Sequence, residues 1–356
     1  MGIVIYCGTQ HGIVTVREQG ANQWAMGERR FLPDWDVAEL AVDSGGRLIA
    51  ATRGDGVWFQ TDTSGAGRTG GWTKPNYGHP GPGKVHCIAV DPEDADTIYA
   101  GGEPIGIWVT HDRGKHWDSL DGLRQIPGVA EITYPVPSVE PHVRDIVIDP
   151  TDHNVLYAAF QVGYLAKSTD RGQTWQLQSE GIDADVHTLI IRPQEPQRIY
   201  ATTGGHGHRQ GVTKGKALYT SRDGGASWSP MADELPQDYA VPMAMHPADS
   251  DFLVSAVANG PPPDWRRPSG AEARLIVSRD GGKSWRVVDS APQEIGAEFP
   301  RAISFDPADP DALYICTDRG KLFRSRNGGD DWTPIPVDLS KVGFIAERSN
   351  MEIFHT

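Results

Sequence analysis

The chain has 356 residues, a formal net charge of −14 and an isoelectric point of about 5.3. This excess of acidic residues argues against nucleic acid and against an anionic membrane as partners, because both attract a basic surface. No run of about 18 apolar residues is present, so no transmembrane helix is predicted. The chain begins directly with a strand pattern and lacks the features of a signal peptide, which predicts a cytoplasmic protein.

Short strands are predicted from the first residues onward. Apolar, β-branched runs over Ile3–Thr9 and 12–16, followed by Trp24, read as three strands of a unit whose first strand is missing. The next unit has strand patterns over 37–43 and 56–59 and then Trp72, with a Gly-rich insertion over 63–71.

Five further units each open with an apolar strand that ends in a proline-containing turn. Proline suits that turn because it has no backbone N–H to donate within a sheet. The five segments are VHCIAVDP (85–92), VRDIVIDP (143–150), VHTLIIRP (186–193), AVPMAMHP (240–247) and PRAISFDP (300–307).

A second motif closes each of these units and recurs at intervals of about 50 residues, the spacing of propeller blades. Its Asp can accept hydrogen bonds from turn N–H groups, its Gly can take a positive φ, and its Trp can bury a large ring beside the turn. The copies are THDRGKHW (110–117), STDRGQTW (168–175), SRDGGASW (221–228), SRDGGKSW (278–285) and SRNGGDDW (325–332).

These segments resemble the Asp-box (BNR) repeats of sialidases, sortilin-type receptors, xyloglucan-cleaving endoglucanases and the photosystem II assembly factor. The resemblance implies an all-β fold, a seven-bladed β-propeller of four-stranded antiparallel blades in a single domain over 1–356. The closing blade is expected to be shared between both ends of the chain, with its inner strand at 342–347. The predicted blades are 37–78, 85–123, 143–182, 186–235, 240–295, 299–339, and 342–348 with 3–32.

No catalytic residue of these families transfers to this sequence. Sialidases carry an Arg-Ile-Pro motif and an arginine triad, whereas the nearest match here, RQIP over 124–127, is interrupted. The xyloglucan-cleaving enzymes pair two rings with a cleft between them, and this chain supplies one. The export signal of the photosystem factor is absent. Fold alone therefore does not decide the function.

One register along the inner strands is rich in cationic side chains. One interpretation is that Arg144 and Arg301 bind an anion, while His86 and His187 act as general acid and base or bind a divalent metal. The alternative is that these groups pair with carboxylates of neighbouring blades. The aligned residues are Ala38, His86, Arg144, His187, Val241, Arg301 and Gly343.

Turns and long loops on the same face supply further candidates. A glycosidase pair would be drawn from Asp55, Glu103 and Asp318, with Glu103 also a candidate catalytic residue beside the histidines. Trp265 would either stack on a sugar or pack its own loop against the ring, and His208 would either bind a ligand or lie in solvent. The candidate ligand-binding residues are Arg144, Arg301, His11, Asp55, His208, Trp265 and Arg319.

Two functions of different class follow. The first is an enzyme, a lyase or hydrolase acting on a small anionic or sugar-like compound, with a divalent metal as its candidate cofactor. The second is a non-catalytic protein-binding or assembly scaffold, which predicts an exposed apolar patch. The oligomeric state is left open. The three cysteines have no metal-binding spacing and are expected to be buried free thiols.

Overall fold

The structure, a computed structural model, describes residues 2–20, 22–61, 71–76, 78–79, 81–133, 140–342 and 351–355. Within them the chain forms seven four-stranded antiparallel sheets. The strands are β1 (Ile3–Thr9), β2 (Gly12–Gly20), β3 (Gln23–Met26), β4 (Val37–Val42), β5 (Leu48–Thr52), β6 (Gly56–Gln60), β7 (Trp72–Thr73), β8 (Val85–Val90), β9 (Ile98–Gly102), β10 (Gly106–Thr110), β11 (Asp118–Ser119), β12 (Val143–Ile148), β13 (Leu156–Phe160), β14 (Leu165–Ser168), β15 (Gln176–Gln178), β16 (Val186–Ile191), β17 (Ile199–Thr203), β18 (Leu218–Ser221), β19 (Ser229–Met231), β20 (Tyr239–His246), β21 (Asp249–Ala258), β22 (Arg274–Ser278), β23 (Arg286–Val287), β24 (Pro300–Phe305), β25 (Leu313–Thr317), β26 (Lys321–Ser325), β27 (Thr333–Asp338) and β28 (Met351–His355).

Among the described residues, helical structure is confined to short turns in the links and loops. These are the α-helices α1 (His206–Arg209) and α2 (Glu294–Ala297), and the 3₁₀ turns Asp121–Gln125, Val129–Glu131, Pro262–Arg266 and Leu339–Lys341. None of the helices in the described ranges is long and apolar enough to cross a membrane.

The seven sheets are the blades of a β-propeller, which confirms the predicted fold class. In six blades the strands lie in chain order from the inner strand outward (β4, β8, β12, β16, β20 and β24 are innermost), and each inner strand contacts those of the adjacent blades. The predicted sharing of the seventh blade between the chain ends is also confirmed, because its order is β28-β1-β2-β3. This closure leaves no open edge between the first and last blades.

The inner strand of the closing blade lies further along the chain than the sequence predicted. It is Met351–His355, paired with Ile3–Thr9 from Cys7↔Met351 to Ile3↔His355. The expected strand at 342–347 is therefore misplaced. Val342 ends a 3₁₀ turn, and residues 343–350 lie outside the described part of the chain.

The hydrophobic core lies between neighbouring blades rather than in one central mass. One cluster, for example, joins Ala38 and Ile49 of one sheet to Ile98 and Trp117 of the next. Cys7, Cys87 and Cys316 are buried free thiols within such clusters, as expected. Burial raises the pKa of Cys7 to about 12, so this thiol stays protonated and inert.

The five repeated turns (110–117, 168–175, 221–228, 278–285 and 325–332) share the hydrogen bonds of the Ser or Thr hydroxyl and of the Asp or Asn side chain, and the second, third and fifth add a bond from the tryptophan Nε1. In the third, Ser221 Oγ donates to Asp223 Oδ1 (2.8 Å), and the N–H of Gly225 donates to Ser221 Oγ (2.8 Å). The N–H of Ser227 donates to Asp223 Oδ1 (2.9 Å), and Trp228 Nε1 donates to the Gly225 carbonyl (3.0 Å). The glycine at this place has φ between +80° and +93° in all five turns, which other residues resist.

The repeated turns join the third and fourth strands, and the proline turns join the first and second. Because the strands are antiparallel, both kinds lie at one end of the ring, the turn face. The links between blades and the turns between second and third strands lie at the other end. This second end, where each inner strand of the six chain-order blades begins, is called the loop face.

Candidate functional site

A β-bulge interrupts six inner strands near their start on the loop face. The pairing with the second strand skips one residue in five blades and two in the sixth, where Val241 and Pro242 are skipped. Bulges of this kind re-aim a side chain and are frequent next to functional sites. The residues skipped in the other five are Ala38, His86, Arg144, His187 and Arg301, which is the register aligned from the sequence. Gly343 lies outside the described residues.

The residue after the bulge ties three of the inner strands to their neighbours. Glu39 Oε2 accepts from the N–H of Ile88 (2.8 Å), and Asp145 Oδ2 accepts from that of Leu189 (2.7 Å). Thr188 Oγ1 donates to the carbonyl of Val241 (2.8 Å). These bonds fix the starts of those inner strands relative to one another.

The first group at the mouth of the channel is the His86 cluster, formed by His86, Glu103 and His142. His86 Nε2 lies 2.8 Å from Glu103 Oε2, and the two imidazole rings stack with centroids 3.7 Å apart. The donor atoms of the three side chains all lie within 4.8 Å of one another. Across the described part of the chain, no other His, Cys, Asp or Glu residues form a group this close.

Two cationic side chains border this cluster and determine which atoms of His86 and Glu103 carry protons. Arg53 Nε donates to His86 Nδ1 (3.4 Å), so the His86 proton is on Nε2 and is donated to Glu103. Lys84 Nζ donates to the second carboxylate oxygen, Glu103 Oε1 (2.6 Å). The hydrogen bond from His86, and that from Lys84, outweigh burial and lower the pKa of Glu103 to about 2. Glu103 is therefore an ionised carboxylate at neutral pH.

The second group lies where the fourth blade begins. His187 Nδ1 donates to the carbonyl of Ala240 (2.6 Å), and its Nε2 lies 3.4 Å from Asp185 Oδ2. Burial alone would raise the pKa of Asp185, but His187, Arg144 and His206 lower it to about 2. A Cβ at Gly204 would overlap Asp185 Oδ2, so glycine is required at that contact.

The third group joins the fifth and sixth blades. The Arg301 guanidinium lies 5.5 Å from the Trp265 ring centroid and 5.8 Å from that of Phe299. Its Nε is buried with no hydrogen-bond partner within the described ranges. Asp318 Oδ1 accepts from the N–H of Phe299 (3.0 Å). Burial raises the pKa of Asp318 against the opposing charges of Arg301 and Arg319.

Trp265 packs its own loop against the ring. Its side chain is buried between Tyr239 (ring centroids 5.5 Å apart) and Phe299 (4.8 Å), and its Nε1 donates to the carbonyl of Gly260 (2.9 Å). This placement favours packing over an exposed stacking platform for a ligand.

The remaining candidates lie around these groups. His11 and Arg319 are exposed. Asp55 is held in an ion pair with Lys74 (2.5 Å). His208 is half-buried, and its N–H donates to Asp183 Oδ2 (3.1 Å), which fixes the loop that carries α1.

The structure brings some predicted residues together and separates others. His86 lies with Glu103, and Arg144 and His187 both act on Asp185, but His187 takes no part in the His86 cluster. His142 and Asp185 were missed. Both stand two positions before a bulge residue. In six blades the side chain at that position contacts one of the three groups described above or a residue bordering them. Aligning this position from blade to blade would have identified both residues; it is occupied by Asp36, Lys84, His142, Asp185, Tyr239 and Phe299.

The fold and these groups define a seven-bladed β-propeller with a polar, mixed-charge mouth on its loop face. No family model matches the chain. It is 24% identical over 213 residues to an oligoxyloglucan-reducing end-specific xyloglucanase of Emericella nidulans, which covers 55% of this chain and 24% of that protein. It is 24% identical over 287 residues to a xyloglucanase of a Paenibacillus species, which covers 70% of this chain and 26% of that protein.

The fold also matches solved structures. The GH74 enzyme of Niastella koreensis superposes with a TM-score of 0.60 and 19% identity, over 84% of this chain and 45% of that one. The chain therefore spans less than half the length of these relatives, and the likeness to the solved structure shows the fold.

Proposed function

We propose that this chain is a carbohydrate-active propeller of the Asp-box type that hydrolyses a glycosidic bond at the mouth of its channel. The observation that carries the proposal is the pair Asp185 and Asp318, whose pKa values are displaced in opposite directions. Most glycoside hydrolases need two such carboxyl groups, one that stays protonated and one that stays ionised. The xyloglucanases among the relatives support a saccharide as the substrate class.

A continuous line of contacts connects the two carboxyl groups. The His187 ring, beside Asp185, lies 5.2 Å from that of Tyr239, and Tyr239 lies 5.9 Å from Phe299. The N–H of Phe299 in turn donates to Asp318. Three successive blades are thus linked through buried side chains, with one carboxyl group at each end of the line.

The two carboxyl groups take different roles. Asp318, whose raised pKa favours the protonated form, is the general acid that protonates the departing oxygen. Asp185, held ionised by His187 and Arg144, is the general base that takes a proton from the attacking water molecule. Arg301, whose guanidinium lies beside Trp265 and Phe299, would donate to a hydroxyl or an anionic group of the ligand.

The scaffold alternative receives less support. It predicts an exposed apolar patch for a protein partner. Among the residues that the structure describes, only Met26 and Val212 are large apolar side chains with more than a third of their surface exposed. A lyase reaction, an anionic substrate and a cytoplasmic location stay predictions.

The proposal is tested by hydrolysis assays on xyloglucan oligosaccharides and a panel of aryl glycosides. Asp318→Asn and Asp185→Asn are each expected to lower kcat by roughly 10²–10⁴-fold, the usual contribution of a general acid or base. Asp55→Asn is the matched control, because Asp55 is also a turn carboxylate of the loop face but is held by Lys74. Its kcat should stay within about twofold of wild type.

Three outcomes would count against the proposal. Full activity of Asp318→Asn would show that Asp318 is not the general acid. An equal loss of activity in all three variants would indicate general damage to the loop face. Binding of a saccharide by calorimetry without turnover of any substrate would favour a binding module instead.

A further inference from the structure

We propose that His86, Glu103 and His142 form a binding site for one divalent transition-metal ion of the zinc type. Two imidazole nitrogens and one carboxylate oxygen, drawn from an inner strand, a turn and a link, converge within 4.8 Å at the mouth of the channel. Sites with three protein ligands of this kind leave a fourth coordination position open. The inference is independent of the glycoside hydrolase proposal, because it rests on other residues.

The donor set selects the class of metal. Imidazole nitrogen favours zinc, copper or nickel over magnesium and calcium, which take oxygen ligands. All three groups are partly or fully buried, and His142 is only 2% exposed. Buried histidines next to an ionised carboxylate differ from the solvent-exposed histidines that bind metals adventitiously.

The hydrogen bonds already orient the ligands. His142 Nδ1 donates to the carbonyl of Glu140 (3.2 Å), so the lone pair for a metal is on Nε2. A metal-bound histidine typically makes this second bond to a carbonyl or carboxylate. Lys84 occupies Glu103 Oε1, while Oε2 faces His86. An ion at His86 Nε2 would displace the proton from that nitrogen, so the neutral ring would carry its proton on Nδ1 and the long Arg53 contact (3.4 Å) would have to open.

Binding requires a small contraction and opposes two cations. Zinc–ligand bonds of about 2.0–2.2 Å bring donor atoms to within about 3.5 Å of one another, so the side chains must close by about 1 Å. Arg53 is anchored by Asp36 (2.8 Å), whereas the Lys84 side chain is 55% exposed and can move away. Lys84 should therefore weaken the site by its charge and by its bond to Glu103.

The test is zinc binding to the full chain, prepared without a histidine tag, by calorimetry and by elemental analysis after dialysis. Wild type is expected to hold one zinc per chain. His142→Gln and Glu103→Gln should each weaken zinc binding at least about tenfold, since each removes a ligand. Lys84→Gln should bind zinc more tightly than wild type, because it removes a positive charge and releases the carboxylate.

His187→Gln is the matched control. His187 is also buried, also donates Nδ1 to a backbone carbonyl and also faces a carboxylate, but within the described ranges it belongs to no group of three possible metal ligands. It should keep the wild-type zinc affinity. Replacing zinc with cobalt(II) provides a second measurement, because a cobalt ion bound by these ligands absorbs visible light. A change in folding alone would not produce this absorption. The proposal is overturned if wild type takes up no zinc. It is also overturned if Glu103→Gln binds zinc as well as wild type; the Glu103 side chain is only partly buried, so this variant is expected to fold.

Discussion

On the turn face, five blades repeat one turn with closely similar hydrogen bonds, whereas on the loop face the equivalent bulge position holds alanine, histidine, arginine or valine from blade to blade. In each repeated turn the Ser or Thr hydroxyl and the Asp or Asn side chain find their partners within eight residues, as Ser221 and Asp223 do. The groups on the loop face are satisfied by residues distant in sequence, as His86 is by Arg53 of the preceding blade and by Glu103 of its own blade. Identical local chemistry stabilises the blades, and the variable, shared chemistry is where function can reside.

The largest effect on stability is expected from a tryptophan of the turn face. Trp228 is 5% exposed and packs between blades, so Trp228→Ala should lower the free energy of unfolding by about 3–5 kcal/mol. Arg319→Ala, on the loop face and exposed, should change it by less than about 0.5 kcal/mol. Urea denaturation measures both. Similar losses in the two variants would remove the distinction between the faces.

An intermediate effect is expected inside the ring, where Glu352 of the closing blade stands opposite Tyr6, at a place that holds Ile303 in the preceding blade. Burial, and secondarily Glu39, raises the pKa of Glu352 to about 8. The unfolded chain ionises this group above about pH 4.5, so the folded state loses stability between pH 4.5 and pH 8.

Glu352→Gln should therefore stabilise the protein by roughly 1–3 kcal/mol at pH 8 and leave it unchanged at pH 4. Urea denaturation at both pH values provides the measurement, with the exposed Glu180→Gln as control. The same change in the free energy of unfolding at both pH values would show that ionisation of Glu352 does not destabilise the folded state.

The smallest effect concerns the one repeated turn that carries Asn in place of Asp. In the third turn Ser227 Oγ donates to Asp223 Oδ2 (2.6 Å), but in the fifth Asn327 Nδ2 donates to Asp331 Oδ2 (3.0 Å). Donor and acceptor are exchanged, so the pair keeps its bond.

Asn327→Asp should consequently cost about 0.5–1.5 kcal/mol by placing two carboxylates together. The double variant with Asp331→Ser should regain that loss, because it recreates the third turn. A double-mutant cycle in urea measures the coupling between the two positions. Additive changes would mean that the exchange is coincidental.

Much of this molecule could be read from local sequence. The period of the turns, the proline-ended strands and the tryptophans predict seven blades, and the repeat alignment places His86, Arg144, His187 and Arg301 in the register that the bulges occupy. These features repeat because each blade has the same turn geometry and the same strand pairing. The inner strand of the closing blade was placed wrongly because neither a proline turn nor a repeated turn marks its position in the sequence.

The tertiary structure alone decided which side chains meet. His142 approaches His86 from a link between blades, Asp185 acquires its low pKa from His187, Arg144 and His206, and Trp265 turns inward onto Phe299. Sequence spacing fixes where a residue stands along its own blade, but distances across the channel depend on how seven blades pack around one axis. The chemistry of the loop face is therefore a property of the closed ring.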